Sequence, residues 1–352
     1  MKICIILGTR PEIIKLCSII KHCEKNKFDY FVIHTNQHYS ENMDKIFFEE
    51  LELPLPKYHL NIGSGLHGEQ TGKALIAIER VLLDERPDIV LVEGDTNTVL
   101  AGALAAHKLH IKVGHVEAGL RSYDRRMPEE ANRIMTDHIA DYLFAPTRKQ
   151  EHILLEEGVS KEKIFVVGNT IVDAVLENSR ISQKLFDPPK ESYFLVTAHR
   201  SENVDDRETL MQLLESLDAV AQEYQLQIIY PIHPRTRKMI QTFNIATSNR
   251  ILLTEPIGYL EFLHLTRHAK LVLTDSGGLQ EESCILQVPC VTLRDNTERP
   301  ETVDVGANVL AGVRKENVLK AVSHMLSKER EWTNPFGDGT TGKKILEIVR
   351  GG

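Results

Sequence analysis

No apolar run in this 352-residue chain approaches the roughly 18 residues that a membrane-spanning helix needs. The amino terminus enters the strand-like segment Ile3–Leu7 at once, with no basic-plus-apolar leader, so a cytoplasmic protein is expected. Positive charge is in deficit: Lys+Arg of 42 against Asp+Glu of 50 leaves a formal charge of -8. That balance opposes electrostatic capture of nucleic acid or of an anionic membrane as the main activity, and any anionic ligand must meet a local positive site. There is no C-x-x-C pair. The five cysteines (Cys4, Cys17, Cys23, Cys284, Cys290) are odd in number and fall mostly in apolar segments, as reduced core thiols do. The chain also has no G-x-G-x-x-G dinucleotide fingerprint, no G-x-S-x-G elbow, no short repeat and no heptad run. His107 with His110 and His264 with His268 come without cysteine or acidic partners at metal-ligand spacing, which leaves zinc unsupported. The His264/His268 pair reads as a partly exposed helix face.

What the chain does have is rhythm. Short runs rich in Ile, Val and Leu recur between longer amphipathic stretches, at Ile3–Leu7, Tyr30–Thr35, Ile89–Glu93, Val113–Val116, Tyr142–Ala145 and Ile164–Val167. They recur again at Tyr193–Ala198, Gln227–Pro231, Ile251–Thr254, Leu271–Thr274 and Pro289–Leu293. Runs without alternation suit parallel strands buried on both faces, and two doubly wound α/β domains follow. The boundary is expected after Gly168, giving an N-terminal domain over residues 1–168 and a second over 169–337.

Ligands in such folds bind beyond the carboxyl ends of the strands, and here those ends are polar or glycine-rich. Gly8-Thr9-Arg10-Pro11-Glu12, with Lys15 one turn on, offers a helix start and two cations to an anion. Glu93-Gly94-Asp95-Thr96 places Asp95 where it serves either as an N-cap or as a site acid. Glu117 follows a buried strand, where a carboxylate is costly unless paired, and Arg121 is its expected structural partner. Pro128-Glu129-Glu130 puts Pro and two acids in a first helical turn. Asp95, Glu117 and Glu129 on one rim would push their proton affinities apart and divide acid from base work. His199, beside Arg200, also follows a strand. Thr274-Asp275-Ser276-Gly277-Gly278, running into Glu281-Glu282, reads as a diphosphate cradle of backbone N–H groups with a carboxylate one turn on for ribose hydroxyls.

Together these segments closely resemble the non-hydrolysing UDP-N-acetylglucosamine 2-epimerases. The match extends through Gly114-His115-Val116-Glu117-Ala118-Gly119-Leu120-Arg121, Glu129-Glu130-Ala131-Asn132-Arg133, Gly168-Asn169-Thr170 and Thr297-Glu298-Arg299-Pro300 to Asn334-Pro335-Phe336-Gly337-Asp338-Gly339, covering essentially the whole chain in order. The resemblance implies two Rossmann-like domains facing across a cleft, the glycosyltransferase-B architecture, with a last helix over about 338–350 returning to the first. It implies a homodimer acting on a UDP-sugar, without metal or nicotinamide cofactor. By motif position, UDP falls to Arg10, Ser276, Gly277, Gly278, Glu282 on the ribose, and Arg299, with Phe262 near the uracil. Catalysis falls to Asp95, Glu117, Glu129 and His199, with Lys15 beside them. The family's route eliminates UDP to a 2-acetamidoglucal and adds it back with protonation of C2 from the opposite face. Alternatives are a hydrolysing relative releasing N-acetylmannosamine and UDP, a 2-epimerase of a related UDP-acetamido sugar, and a nucleotide-sugar sensor. Three departures stand out: Lys45 replaces an expected glutamine after Gln37-His38, Pro234-Arg235 follows His233, and the gap between Arg121 and Pro128 is short. The first puts allosteric activation by substrate in doubt, and the other two bear on which acetamido sugar is accepted.

Overall fold

A computed structural model describes residues 1–36 and 47–351. The chain divides into two compact units, Met1–Ala174 with Phe336–Gly352, and Val175–Pro335. The first is built on a seven-stranded, all-parallel sheet: β1 (Lys2–Leu7), β2 (Asp29–His34), β3 (Tyr58–His59), β4 (Ile89–Glu93), β5 (Lys112–Val116), β6 (Tyr142–Ala145) and β7 (Ile164–Val166), in the order β3-β2-β1-β4-β5-β6-β7. The second holds β8 (Tyr193–Thr197), β9 (Gln227–Pro231), β10 (Ile251–Thr254), β11 (Leu271–Thr274), β12 (Cys290–Thr292) and β13 (Asn308–Leu310), in the order β10-β9-β8-β11-β12-β13. Both are doubly wound Rossmann-like sheets, in which the order reverses between β1 and β4 and again between β8 and β11. A ligand crevice belongs at those reversals.

The central strands lack alternation because helices cover both faces. Ile6, Val90, Val92 and Val113 pack with Ala101, Ala105 and Ile78 in one core. Phe194, Val196, Leu217, Tyr230 and Leu273 anchor the other. All five cysteines are buried thiols. No helix of the described residues is long and apolar enough to cross a membrane.

The unit division falls inside the helix Thr170–Leu185 rather than ahead of it at Gly168. The first turn of that helix is tied to the chain's end. Asp173 accepts hydrogen bonds from the amides of Thr341 (3.1 Å) and Gly342 (2.9 Å), capping the final helix Thr341–Gly351. Asn169 N donates to Phe336 O at 2.7 Å. A Cβ on Gly342 would lie 2.6 Å from Ser18 Oγ and 3.2 Å from Ile19 N, so glycine is what lets the final helix lie against the helix Arg10–Lys25.

Candidate active site

At the carboxyl ends of β1, β4 and β5 the sequence builds a buried polar cluster. Thr9 caps the helix Arg10–Lys25, and Glu12 closes a capping box by accepting from the amides of Gly8 (2.5 Å) and Thr9 (3.1 Å). The other Glu12 oxygen accepts from Thr96 Oγ1 at 2.5 Å, so one carboxyl ties the end of β1 to the end of β4. Burial outweighs these bonds and pushes Glu12 up to about 7. One turn on, Lys15 Nζ meets Glu117 Oε2 at 2.5 Å and Glu93 Oε1 at 3.0 Å. Asn169 Nδ2 also donates to Glu117 Oε2, at 3.0 Å. Glu117 itself has φ of 68°, a left-handed conformation costing about 1–3 kcal/mol in a non-glycine residue.

Arg121, the expected partner of Glu117, is committed elsewhere. It meets Asp137 Oδ2 at 2.7 Å, and its Nε and Nη2 grip Glu157 at 2.8 and 2.6 Å. Asp137 is the hub of this second network. It faces His115 Nδ1 at 2.7 Å and accepts from the amide of Gly119 at 3.2 Å, while His115 Nε2 lies 2.8 Å from Gly94 O. Burial alone would raise Asp137, but His115 and Arg121 beside it hold it below the usual carboxylate range. The network grips the residues flanking Glu117 and leaves its carboxyl to Lys15 and Asn169.

Asp95 is not an N-cap. Thr96 occupies that position, with its hydroxyl accepting from Val99 N, while Asp95 pairs with Arg133 and keeps about a third of its side chain exposed. Arg133 reaches back to Glu130 at 2.8 Å. Glu130 also accepts from Ser122 N, Ser122 Oγ and Tyr123 N at 2.9 to 3.0 Å, and these bonds outweigh burial to hold it below its ordinary value. Of the two adjacent acids, Glu130 therefore organises the loop. Glu129, the sequence-derived candidate, stands half-buried in the first turn of the helix Pro128–Ile139. Arg10 lies over the Phe47 ring, 4.2 Å from its centroid.

In the second unit, Asp275 holds the loop after β8. Its Oδ2 accepts from the amides of His199 (2.8 Å) and Arg200 (2.9 Å) and from Asn203 Nδ2 (3.1 Å). His199 Nδ1 lies 3.6 Å from Asp275 Oδ1, and the imidazole sits 5.2 Å, centroid to centroid, from His233. Burial, with His199 and Arg235 nearby, keeps His233 below its ordinary value. Arg235, one of the departures noted above, pairs with Asp205. Ser276 is the N-cap of the helix Gly277–Ile285, but its side chain makes no capping bond. A Cβ on Gly278 would meet nothing within 4 Å, and one on Gly277 only ordinary contacts at 3.7 and 4.0 Å. Neither has a positive φ, so the fold itself has no need of glycine there. Arg299 pairs with Glu281 at 2.9 Å, Glu282 is buried, and Phe262 packs against the small core that contains Tyr193, Leu195 and Leu279.

The structure thus gathers Lys15, Glu117 and Asp95 at neighbouring strand ends of one unit, and His199, Ser276, Gly277 and Gly278 beyond β8 and β11 of the other. Sequence reasoning missed Glu12, Glu93, Asp137, Asn169 and Asp275. The T-x-x-E spacing of Thr9 and Glu12 was a usable sign, as was an acid closing the buried run Ile89–Glu93. His264, read as partly exposed, is buried, with Nε2 lying 3.1 Å from Asp187 O. Lys45 and the segment from Gln37 lie outside the described residues. Among the described residues, no group of three or more His, Cys, Asp or Glu side chains is placed to hold a metal ion.

Residues 21–350 match the family model described as UDP-N-acetylglucosamine 2-epimerase. The chain is 60% identical, over 99% of both chains, to the UDP-N-acetylglucosamine 2-epimerase of Methanocaldococcus jannaschii. A crystal structure of the epimerase from that organism, in complex with UDP-GlcNAc and UDP, aligns over 100% of both chains with a TM-score of 0.90. A relative from Pseudomonas aeruginosa, 42% identical over 99% of both chains, is a UDP-2,3-diacetamido-2,3-dideoxy-D-glucuronate 2-epimerase.

Proposed function

This chain belongs to the UDP-N-acetylglucosamine 2-epimerase family, and from that premise we propose that it interconverts UDP-N-acetylglucosamine and UDP-N-acetylmannosamine without releasing the free sugar. The observation that carries this reading is the Lys15–Glu117 pair at the ends of β1 and β5, with Asp95 following β4, the strand between them. Inverting C2 requires removing a weakly acidic C–H while the C1–O bond to UDP breaks, then returning a proton to the other face. The electron pair of the C2–H bond becomes the C1–C2 double bond of a 2-acetamidoglucal, and UDP leaves with the C1–O pair. Re-addition reverses both changes. Asp95, Glu117, Glu129 and His199 are the proton-handling groups, with Lys15 charge-paired to Glu117. Arg10, Arg299, Ser276 and the amides of Gly277 and Gly278 hold the diphosphate, Glu282 the ribose, and Phe262 the uracil. A homodimer belongs to the same proposal, and sedimentation at working concentration tests it.

NMR of the purified protein with UDP-N-acetylglucosamine in D2O is the direct test. The expected result is a mixture with the mannose-type epimer, deuterated at C2, with no metal or nicotinamide added. Accumulation of UDP and free N-acetylmannosamine would instead make it a hydrolysing enzyme. Turnover of the diacetamido uronate alone would move its substrate to that of the Pseudomonas relative.

The glycines give a sharper test of the diphosphate cradle. Since a methyl group on Gly278 meets nothing of the protein, Gly278→Ala is expected to leave the melting temperature unchanged or raised while weakening UDP binding by about tenfold or more. Calorimetric titration with UDP decides it, and undiminished affinity would remove this helix start from the binding site.

A further inference from the structure

Two carboxylates share one ammonium at the end of β4. Lys15 Nζ stands 3.0 Å from Glu93 Oε1 and 2.5 Å from Glu117 Oε2, and the three side chains are 12%, 2% and 4% exposed. Glu93 closes β4 opposite Val116, the residue before Glu117, and no step proposed above uses it. We propose that Glu93 is a positioning residue of the reaction, which holds a proton beside Lys15 and so reserves the ammonium for an ionised Glu117. This rests on the epimerase reading and adds a part to the same site.

The charges decide where the proton sits. One ammonium balances one carboxylate, and Glu12, from the same helix as Lys15, faces the pair as a third acid, with Asp95 acting in turn on Glu12. Two ionised carboxylates on Lys15 would leave a net negative charge in a buried site. Asn169 donates to Glu117 Oε2, which favours the charged form of Glu117. Burial pushes Glu93 well above the ordinary carboxylate range, Glu117 and Glu12 push the same way, and Lys15 opposes them. Of the two carboxyls on Lys15, Glu93 is therefore the one that keeps the proton more readily. When Glu93 ionises, Lys15 is divided between two anions, and the Glu117 carboxyl is held less firmly.

Two measurements test this, one on the free protein and one on turnover. The infrared spectrum of the free native protein near neutral pH should contain a protonated carboxylic acid band that Glu93→Gln lacks. The alkaline side of the native kcat/KM profile should show a falling limb absent from Glu93→Gln, with UDP affinity unaltered. One pH unit above that limb, and with each profile normalised to its own neutral value, the variant should exceed the native protein by about tenfold. Glu93→Met, similar in size and uncharged, gives the same reading if the amide disturbs folding. Spectra without a lost band, or superimposable profiles, would overturn the proposal. A native protein without epimerase activity would strike the proposed function instead, and the infrared band would still decide where the proton sits.

Discussion

Glu117→Gln is expected to lower kcat by at least about 10²-fold while UDP binds as in the native protein, the lower end of what a general acid or base contributes. The amide cannot take a proton from carbon, and it removes the charge that answers Lys15. The pairing makes this sharper than sequence reasoning allowed. With Arg121 engaged by Asp137 and Glu157, the role of partner to Arg121 is already filled, and the Glu117 carboxyl sits in strained backbone against Lys15. Asp95→Asn, which leaves Arg133 with Glu130 alone, should fall into the same range. NMR turnover assays with calorimetric UDP titrations separate the two quantities. Native turnover in Glu117→Gln would mean that the carboxyl serves only to neutralise Lys15.

Asp137→Ala is expected to be the most destabilising single change in the first unit. It leaves the buried guanidinium of Arg121 half-answered and removes the partner of His115 Nδ1 and of the Gly119 amide. Breaking a buried ionic hub by removing one member costs about 3–5 kcal/mol, which lowers the melting temperature by roughly 10 °C in units of this size. Urea unfolding with a constant m-value would read it directly. The sign with pH follows from the depressed proton affinity of Asp137. Its contribution is present above the carboxylate's unfolded value and is lost as pH falls through the lower folded value, so the native protein and the variant should converge in acid. A variant as stable as the native protein would show that the network is dispensable.

The strands were legible because parallel strands covered on both faces have to be apolar throughout, as Val90–Val92 and Leu271–Leu273 are. Tyr58–His59 and Asn308–Leu310 were not, since each pairs along one side only, at the rim of its sheet, and needs no apolar run. The strand-end motifs marked the candidate site for the same topological reason. Their pairings were hidden. Arg121 is four residues from Glu117 and invites a local match, whereas Lys15 lies 102 positions away and Asn169 52. Only the sheet order, β1-β4-β5 for Lys15 and β5-β6-β7 for Asn169, makes those residues neighbours of Glu117. Asn169 shows the limit well, because Gly168-Asn169-Thr170 read as a boundary and is in fact the place where the chain's end and the Glu117 carboxyl are both held.

The docking of the final helix sets a schedule for biosynthesis. Asp173 and Asn169 wait for Thr341, Gly342 and Phe336, which leave the ribosome only after all of Val175–Pro335. At about 5–20 residues per second, the nascent first unit spends roughly 10–30 s with the face of the helix Arg10–Lys25 around Ser18 uncovered while the second unit is being translated. Asn169, the amide that steadies Glu117, is anchored through its backbone to a segment made only after the whole second unit. A ribosome that stops within the second unit therefore leaves Asn169, beside Glu117, without the Phe336 carbonyl that holds its backbone.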